Sequence, residues 1–205
     1  MPKNSKKIHK EFLMKLKLLN RTRKNFEKAF FLNIIYQDDI VQAYAGLYLD
    51  TFTEFESLIE NLFFGILTGT IKANNASVTR KVTIKPHNEI EPVVYSGKSY
   101  LDWLPYADQT IKKANLYFID GRPFSFLQQP QKDKLSNYHK IRNAIAHKSK
   151  KAMKEFNEVI AGMTLLPLEK TPQGFLRNIP NRATKKTQLE IISEELQSIA
   201  FTLCT

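Results

Sequence analysis

Four side chains that can transfer protons or bind phosphate lie within one short segment, YHKIRNAIAHKSKK, residues 138–151. His139, Asn143 and His147 follow one another at intervals of four residues, and Arg142 directly precedes Asn143. Side chains four residues apart lie one above the other on a helix, so the first three would form a polar row. Arg142 would lie at the edge of this row and could reach the same cleft.

The chemistry that suits these side chains is phosphodiester cleavage without a metal ion. Histidine titrates near neutral pH, so it can remove the 2′-hydroxyl proton of RNA or protonate the leaving 5′-oxygen. Arg142 could donate to phosphate oxygens and stabilise the charge of the transition state, while Asn143 could orient the histidine ring or the phosphate. Attack by the 2′-hydroxyl would leave a 2′,3′-cyclic phosphate, and DNA would be inert.

An apolar stripe should run along the other side of the same helix, formed by Tyr138, Ile141, Ala144 and Ile145. With about 100° per residue, Asn143 and His147 point away from this stripe. We therefore expect the stripe to pack on the core and the polar row, with Arg142, to face outward. The helix is predicted to begin at about Asp133 and to continue through the segment. A solvated basic helix face without a function is the alternative interpretation.

Other common sites are missing from the sequence. It contains no G-x-G-x-x-G, no G-x-x-x-x-G-K-[ST], no H-E-x-x-H and no G-x-S-x-G. Cys204 is the only cysteine, so an intramolecular disulfide or a thiolate metal cluster is impossible. We predict neither a metal site nor a cofactor.

Length and charge indicate one globular domain with a basic extension. The chain has 205 residues, of which 42% are hydrophobic and 25% charged, with a net charge of +11. Ten lysines and arginines lie in the first 28 residues, which contain only two acidic residues, so about +3 remains for the rest. Such a balance suits a polyanionic partner such as RNA, although it could serve solubility alone.

Hydrophobic periodicity predicts helices along most of the chain. One or two basic amphipathic helices should lie between Ser5 and Tyr36, and a long central helix should follow over residues 38–69. Asp38 or Asp39 could cap this central helix, and Gly69 lies just past its end. Glu56 and Glu60 lie one turn apart on it, either as a carboxylate pair for acid–base chemistry or as solvated side chains.

The second half of the chain contains the predicted interruptions. Residues 76–97 are rich in β-branched residues and contain the turn-forming segment Pro86-His87-Asn88. This composition indicates a small hairpin-like insertion. Helical spacing returns over residues 99–118, and a proline-containing basic loop is expected at residues 167–186. A last helix over residues 187–203 should bury Leu189, Ile192, Leu196, Ile199 and Leu203.

The hexapeptide RNAIAH, residues 142–147, resembles the Arg-x4-6-His motif of HEPN-domain ribonucleases, in which the residue after arginine is often asparagine. The segment FTEFESLIENLFFGIL has the character of that family's long helix. The resemblance implies an all-α, antiparallel helical bundle over residues 37–205, with residues 1–36 as an N-terminal arm. It also implies that Arg142, Asn143 and His147 are catalytic.

Further expectations follow from this resemblance. Two copies usually dimerise, so that one histidine acts as the base and its twin as the acid. Many HEPN proteins are toxins or antiviral ribonucleases, so an antitoxin partner is expected too. In some of them a tyrosine two residues after the histidine is modified by an antitoxin, whereas this chain has Ser149. On electrostatic grounds, we also expect RNA to be guided by Lys148, Lys150 and Lys151 together with the basic N-terminal arm.

Two other functions compete with an RNA-cleaving enzyme. A catalytically silent HEPN-like module could bind RNA or a protein through the same basic cleft. A membrane-surface adaptor could use the N-terminal amphipathic helix. The sequence contains neither a signal-peptide core nor an apolar run of roughly 18 residues, so we expect a cytoplasmic protein without stable membrane association.

Overall fold

The computed structural model describes residues 2–82, residue 94 and residues 107–205. Within these residues the chain is mostly helical, which confirms the predicted all-α class. The helices are α1 (Ser5–Phe31), α2 (Gln37–Thr68), α3 (Ala107–Tyr117), α4 (Gln129–His147), α5 (Lys150–Val159), α6 (Pro172–Arg177) and α7 (Gln188–Cys204). Two-residue strands β1 (Lys3–Asn4) and β2 (Ile71–Lys72) pair in parallel. Short 3-10 turns cover Ile119–Gly121, Phe124–Phe126 and Leu168–Lys170.

The chain forms two compact units. The first unit comprises Met1–Glu11, Glu56–Ser136 and Ile199–Thr205, and the second comprises Phe12–Phe55 and Asn137–Ser198. Helices α1, α2, α4 and α7 each contribute residues to both units. The expected division into an arm of residues 1–36 and a domain of residues 37–205 stays a prediction.

An aromatic cluster forms the centre of the first unit. The ring of Phe63 on α2 lies 5.1 Å from that of Phe118 and 5.5 Å from that of Phe124, centroid to centroid. All three side chains are almost fully buried, and each such phenylalanine contributes about 1.5–3 kcal/mol of hydrophobic stabilisation. In the same unit the Ser5 hydroxyl donates to the carbonyl oxygen of Cys204 over 2.6 Å, which joins the two ends of the chain.

The long helix α2 supplies the core of the second unit. Tyr44, Tyr48, Phe52 and Phe55 are fully buried there, and Phe12 of α1 packs its ring against Phe55. The predicted central helix is thus confirmed, together with its ends. The Asp39 carboxylate accepts from the backbone N–H of Tyr36 over 2.8 Å, as in a capping box, and Gly69 ends the helix with a φ of +76°.

The predictions for α1 and α7 are also confirmed. The basic N-terminal segment forms one continuous helix that ends at Phe31, with Ile8, Phe12 and Leu16 buried. In α7 the five residues predicted to form the apolar face are all buried: Leu189, Ile192, Leu196, Ile199 and Leu203. Spacing of three and four residues was sufficient to predict both faces.

The helix predicted to run through residues 138–151 is interrupted, which corrects that prediction. Helix α4 begins at Gln129, four residues before Asp133, and ends at His147. Lys148 has a φ of +47°, and the Ser149 hydroxyl then accepts from the backbone N–H of Ala152 to start α5. Serine is among the preferred N-cap residues, so a second helix begins where continued apolar periodicity had predicted one helix.

Of the two predicted interruptions of the helical pattern, one contains a helix and the other lies mostly outside the described residues. The expected loop at residues 167–186 contains a 3-10 turn and the short helix α6, which Thr171 caps by accepting from the N–H of Gly174. Pro172 at the first helical position has a φ suited to a helix start. Most of the predicted hairpin, residues 83–93 and 95–97, lies outside the described residues, as do residues 98–106 before α3.

Candidate functional site

Helix α4 is fixed in the second unit by its apolar stripe and by one buried hydrogen bond. Tyr138, Ile141 and Ile145 are each less than a tenth exposed, as the sequence predicted. The hydroxyl of Tyr48, in the middle of α2, donates to the backbone carbonyl of Tyr138 over 2.6 Å. A buried hydrogen bond of this kind contributes about 1 kcal/mol and has a narrow geometry, so it sets where α4 lies on α2.

The four polar side chains of the segment form a hydrogen-bonded quartet, which we define as His139, Arg142, Asn143 and His147. Arg142 Nη1 lies 3.4 Å from Asn143 Oδ1 and 3.4 Å from His147 Nε2. Asn143 Nδ2 lies 3.3 Å from His139 Nδ1. The sequence-predicted catalytic residues Arg142, Asn143 and His147 are therefore brought together in one chain of contacts.

The guanidinium fixes the direction of each hydrogen bond in the quartet, because it can only donate. Asn143 Oδ1 and His147 Nε2 must both accept from Arg142. The amide nitrogen of Asn143 is then left to donate to Nδ1 of His139. In the neutral form of His147, this contact puts the ring proton on Nδ1 and leaves Nε2 unprotonated, which is the form that a general base requires.

Exposure increases along the quartet. His139 is buried, with 9% of its surface exposed, Arg142 and Asn143 are half-buried, and His147 is exposed. The expectation that the whole polar row faces outward is therefore wrong for His139. Its Nδ1 keeps a hydrogen bond to Asn143, so burial leaves this atom satisfied.

Burial also determines the charge of His139. Burial lowers the pKa of His139 to about 4, and the positive charge of Arg142, with that of His147 whenever this ring is protonated, acts in the same direction. The imidazole of His139 is therefore neutral at neutral pH. It can accept the hydrogen bond from Asn143, but it cannot supply a charged acid group there.

We expect His139→Gln to make folding less sensitive to acid. The unfolded histidine has a pKa of about 6.5, so in the parent chain stability is complete above that pH and falls as pH decreases towards the folded value of about 4. Between pH 7 and pH 4.5 the parent chain should lose about 2 kcal/mol of its free energy of unfolding through this residue. The glutamine variant should not show this loss, because glutamine does not titrate. Chemical denaturation of both proteins at the two pH values measures the difference. Equal losses in the two proteins would contradict the neutral, buried state of His139.

The three lysines predicted to bind RNA follow the quartet directly in the chain. Lys148, Lys150 and Lys151 are all exposed. Lys148 lies in the turn between α4 and α5, and the other two begin α5. Lys151 is 3.9 Å from Glu155, a separation at which an exposed pair is worth little. All three ammonium groups are thus accessible from solvent at the same helix end as His147.

The other candidate sites in the described residues do not combine a histidine with an unpaired arginine as the quartet does. Glu56 and Glu60 are half-buried residues of the first unit, whereas the quartet belongs to the second. Across the described residues, no group of three or more His, Cys, Asp or Glu side chains is placed to hold a metal ion. A cavity of about 1330 Å³ also lies in the second unit, but its lining contains no histidine. Two of its three arginines, Arg23 and Arg177, are paired with Glu190 and Glu27.

Comparison of the chain with protein-family models, curated proteins and solved structures gave no significant match. None of the helices formed by residues 2–82 and 107–205 combines the length and apolar character needed to cross a bilayer.

His139 was not among the predicted catalytic residues, and the structure gives it a hydrogen-bond partner, Asn143. The signal was present in the four-residue spacing between His139 and Asn143, which is the same spacing that pointed to His147. The support from Tyr48 had no comparable signal, because the two hydrogen-bonded residues are 90 positions apart in the chain.

Proposed function

We propose that the chain is a metal-independent endoribonuclease of the HEPN type, with Arg142, Asn143 and His147 as its catalytic residues. The observation that carries the proposal is the quartet itself. In the quartet, Nε2 of the exposed His147 lies 3.4 Å from a guanidinium nitrogen of Arg142, and the same nitrogen contacts Asn143. This combines a proton acceptor and a phosphate-binding cation within one side-chain length.

RNA would rearrange the contact between Arg142 and His147. A phosphate oxygen is a stronger acceptor for a guanidinium than a neutral imidazole, so Arg142 would transfer its hydrogen bond to the scissile phosphate. Nε2 of His147 would then be free to accept the proton of the 2′-hydroxyl. The 2′-oxygen forms a bond to phosphorus and the bond to the 5′-oxygen breaks, which leaves a 2′,3′-cyclic phosphate and a 5′-hydroxyl.

The leaving 5′-oxygen needs a proton, and the quartet of one chain offers no second titrating group for it. His139 is neutral and buried, and a guanidinium does not deprotonate in proteins. This supports a homodimer in which His147 of a second copy supplies the proton. A toxin or antiviral role, and an antitoxin partner, are implied by the resemblance alone. Because the Ser149 hydroxyl caps α5, we do not propose that it is a regulatory modification site.

A catalytically silent RNA-binding module is the second candidate, and one observation favours it. In the described arrangement Arg142 occupies the lone pair of His147 Nε2, so the base is engaged before any substrate binds. If RNA cannot displace this contact, the same residues would form a binding surface without turnover.

Cleavage of matched oligonucleotides tests the proposal. We expect the purified protein, in the presence of excess EDTA, to cut a mixed-sequence RNA while leaving the same sequence as 2′-O-methyl RNA or DNA intact. Only the first substrate has a 2′-hydroxyl that can act as the nucleophile. Cleavage of DNA, or loss of RNA cleavage on chelation, would contradict the mechanism. Salt-sensitive binding of all three oligonucleotides without any cutting would support the silent module.

A further inference from the structure

We propose that one face of helix α1 binds the phosphate backbone of an RNA strand. This face carries the cationic stripe, which we define as Lys17, Arg21, Lys24 and Lys28, and which lies in the second unit. The choice of RNA rests on the proposed function, whereas the recognition of phosphates does not.

The stripe follows from residue spacing on a straight helix. Its members are separated by four, three and four residues, which at 100° per residue keeps them within an arc of about 60°. All four side chains are exposed. The stripe extends about 17 Å along the helix, with a cation roughly every 5 Å. Such an interval is comparable with the distance between neighbouring phosphates, so successive side chains can each neutralise one phosphate of a single strand.

The stripe is not used for ion pairs among the described residues, in contrast with the other cations of this part of α1. Lys15 and Arg23 are paired with Glu54 and Glu190, each at 2.5 Å. No described acidic side chain lies within ion-pair distance of the four stripe residues. A nearby carboxylate, Glu27, is bound by Arg177 at 3.0 Å through both of its oxygens. The stripe therefore keeps four uncompensated charges on one surface.

The burial of the apolar side of α1 favours RNA over a lipid surface as the partner of the stripe. A helix that lies in a membrane interface must insert its apolar face among the acyl chains. Here Phe12 and Leu16 on that face are each only 3% exposed, because they pack in the protein core. Beside the stripe, between Phe12 and Lys28, only Met14 and Leu18 are exposed apolar residues, and the exposed Phe31, Leu32, Ile34 and Tyr36 lie past its C-terminal end. A polyanion bound by charge alone fits this surface better.

Salt dependence of RNA binding tests the proposal without requiring cleavage. The stripe variant is Lys17→Gln, Arg21→Gln, Lys24→Gln and Lys28→Gln. The matched control removes an equal number of charges from other exposed residues of the second unit, which make no ion pair with a described residue. Its substitutions are Lys154→Gln, Lys170→Gln, Arg182→Gln and Lys185→Gln. Gln, Lys and Arg have similar helix propensities, and the control positions are exposed, three of them outside α-helices, so both variants should fold. The probe is a fluorescent, single-stranded 2′-O-methyl RNA, which the proposed chemistry cannot cut.

We expect the slope of log Kobs against log salt to become shallower by about 3 in the stripe variant, since each phosphate contact to a single strand contributes about 0.7. In the control variant this slope should change by less than about 1. A third variant, Lys17→Arg, Lys24→Arg and Lys28→Arg, keeps the charges and should keep the parent slope. Equal changes in the stripe and control variants would show that net charge alone matters and would overturn the proposal. An unchanged RNA slope, with loss of sedimentation on phosphatidylserine vesicles, would overturn it in favour of a lipid surface.

Discussion

His147→Ala is expected to lower RNA cleavage by about 10³-fold, which is within the range for loss of a general base. The exposed imidazole has no described packing role in the quartet beyond accepting from Arg142, so its removal deletes the proton acceptor and little else. Binding of the RNA should change little, because the phosphate contacts of Arg142 and the lysines remain. Measurement of single-turnover cleavage rates, with the dissociation constant from the same titration, separates the two effects.

Two controls keep this result interpretable. His147 is an exposed residue at a helix end, so its replacement should change the free energy of unfolding by less than about 0.5 kcal/mol. An excess of His147→Ala chain should also lower the activity of the parent chain, because mixed dimers would hold only one of the two histidines. Cleavage by the variant at the parental rate would remove His147 from the mechanism. Undiminished parental activity in the mixture would contradict the shared dimer site.

Arg142→Ala is the second large expected effect, a loss of about 10²–10³-fold in the cleavage rate. The guanidinium is the only member of the quartet that can stabilise charge on the phosphate, and it also orients His147 and Asn143 through one nitrogen. Arg142→Lys should recover little of the loss. An ammonium group keeps the charge, but it lacks the planar fork that can bind phosphate and Asn143 together.

The matched control for Arg142 is Arg182→Ala, which removes an exposed arginine of the second unit that lies outside the quartet. We expect this variant to cut RNA at close to the parental rate. If the two alanine variants lose activity equally, Arg142 acts only through net charge. If Arg142→Lys is as active as the parent, the fork geometry has no role, and the contacts of Arg142 with Asn143 and His147 are not part of the mechanism.

Periodicity predicted most of the fold because it reflects burial directly. The apolar faces of α1, α2 and α7 appear at three- and four-residue spacing, and each of these faces is buried in the structure. The break between α4 and α5 was missed, since it depends on Ser149 competing for a backbone N–H, a local hydrogen bond that does not disturb apolar spacing. The bond from Tyr48 to Tyr138 depends on how two distant helices pack, which no local pattern encodes.

The sequence predicted which residues form the site, but it did not predict how exposed each of them is. Four-residue spacing correctly places His139, Asn143 and His147 along one side of α4. The angular positions of the side chains on the helix did not predict that His139 is buried while His147 is exposed. The buried area of each side chain depends on the neighbouring helices, which the spacing does not describe. Consequently the two histidines, equivalent in sequence spacing, differ in exposure and in the chemistry that each can perform.

The chemical nature of the cut ends tests the central claim most directly, namely that the RNA's own 2′-hydroxyl is the nucleophile and His147 accepts its proton. Mass spectrometry of the fragments formed in EDTA should find 2′,3′-cyclic phosphate and 5′-hydroxyl ends with the parent chain, and no such fragments above background with His147→Ala. Fragments that carry a 5′-phosphate and a 3′-hydroxyl, or cyclic phosphate ends formed equally by both proteins, would contradict the account.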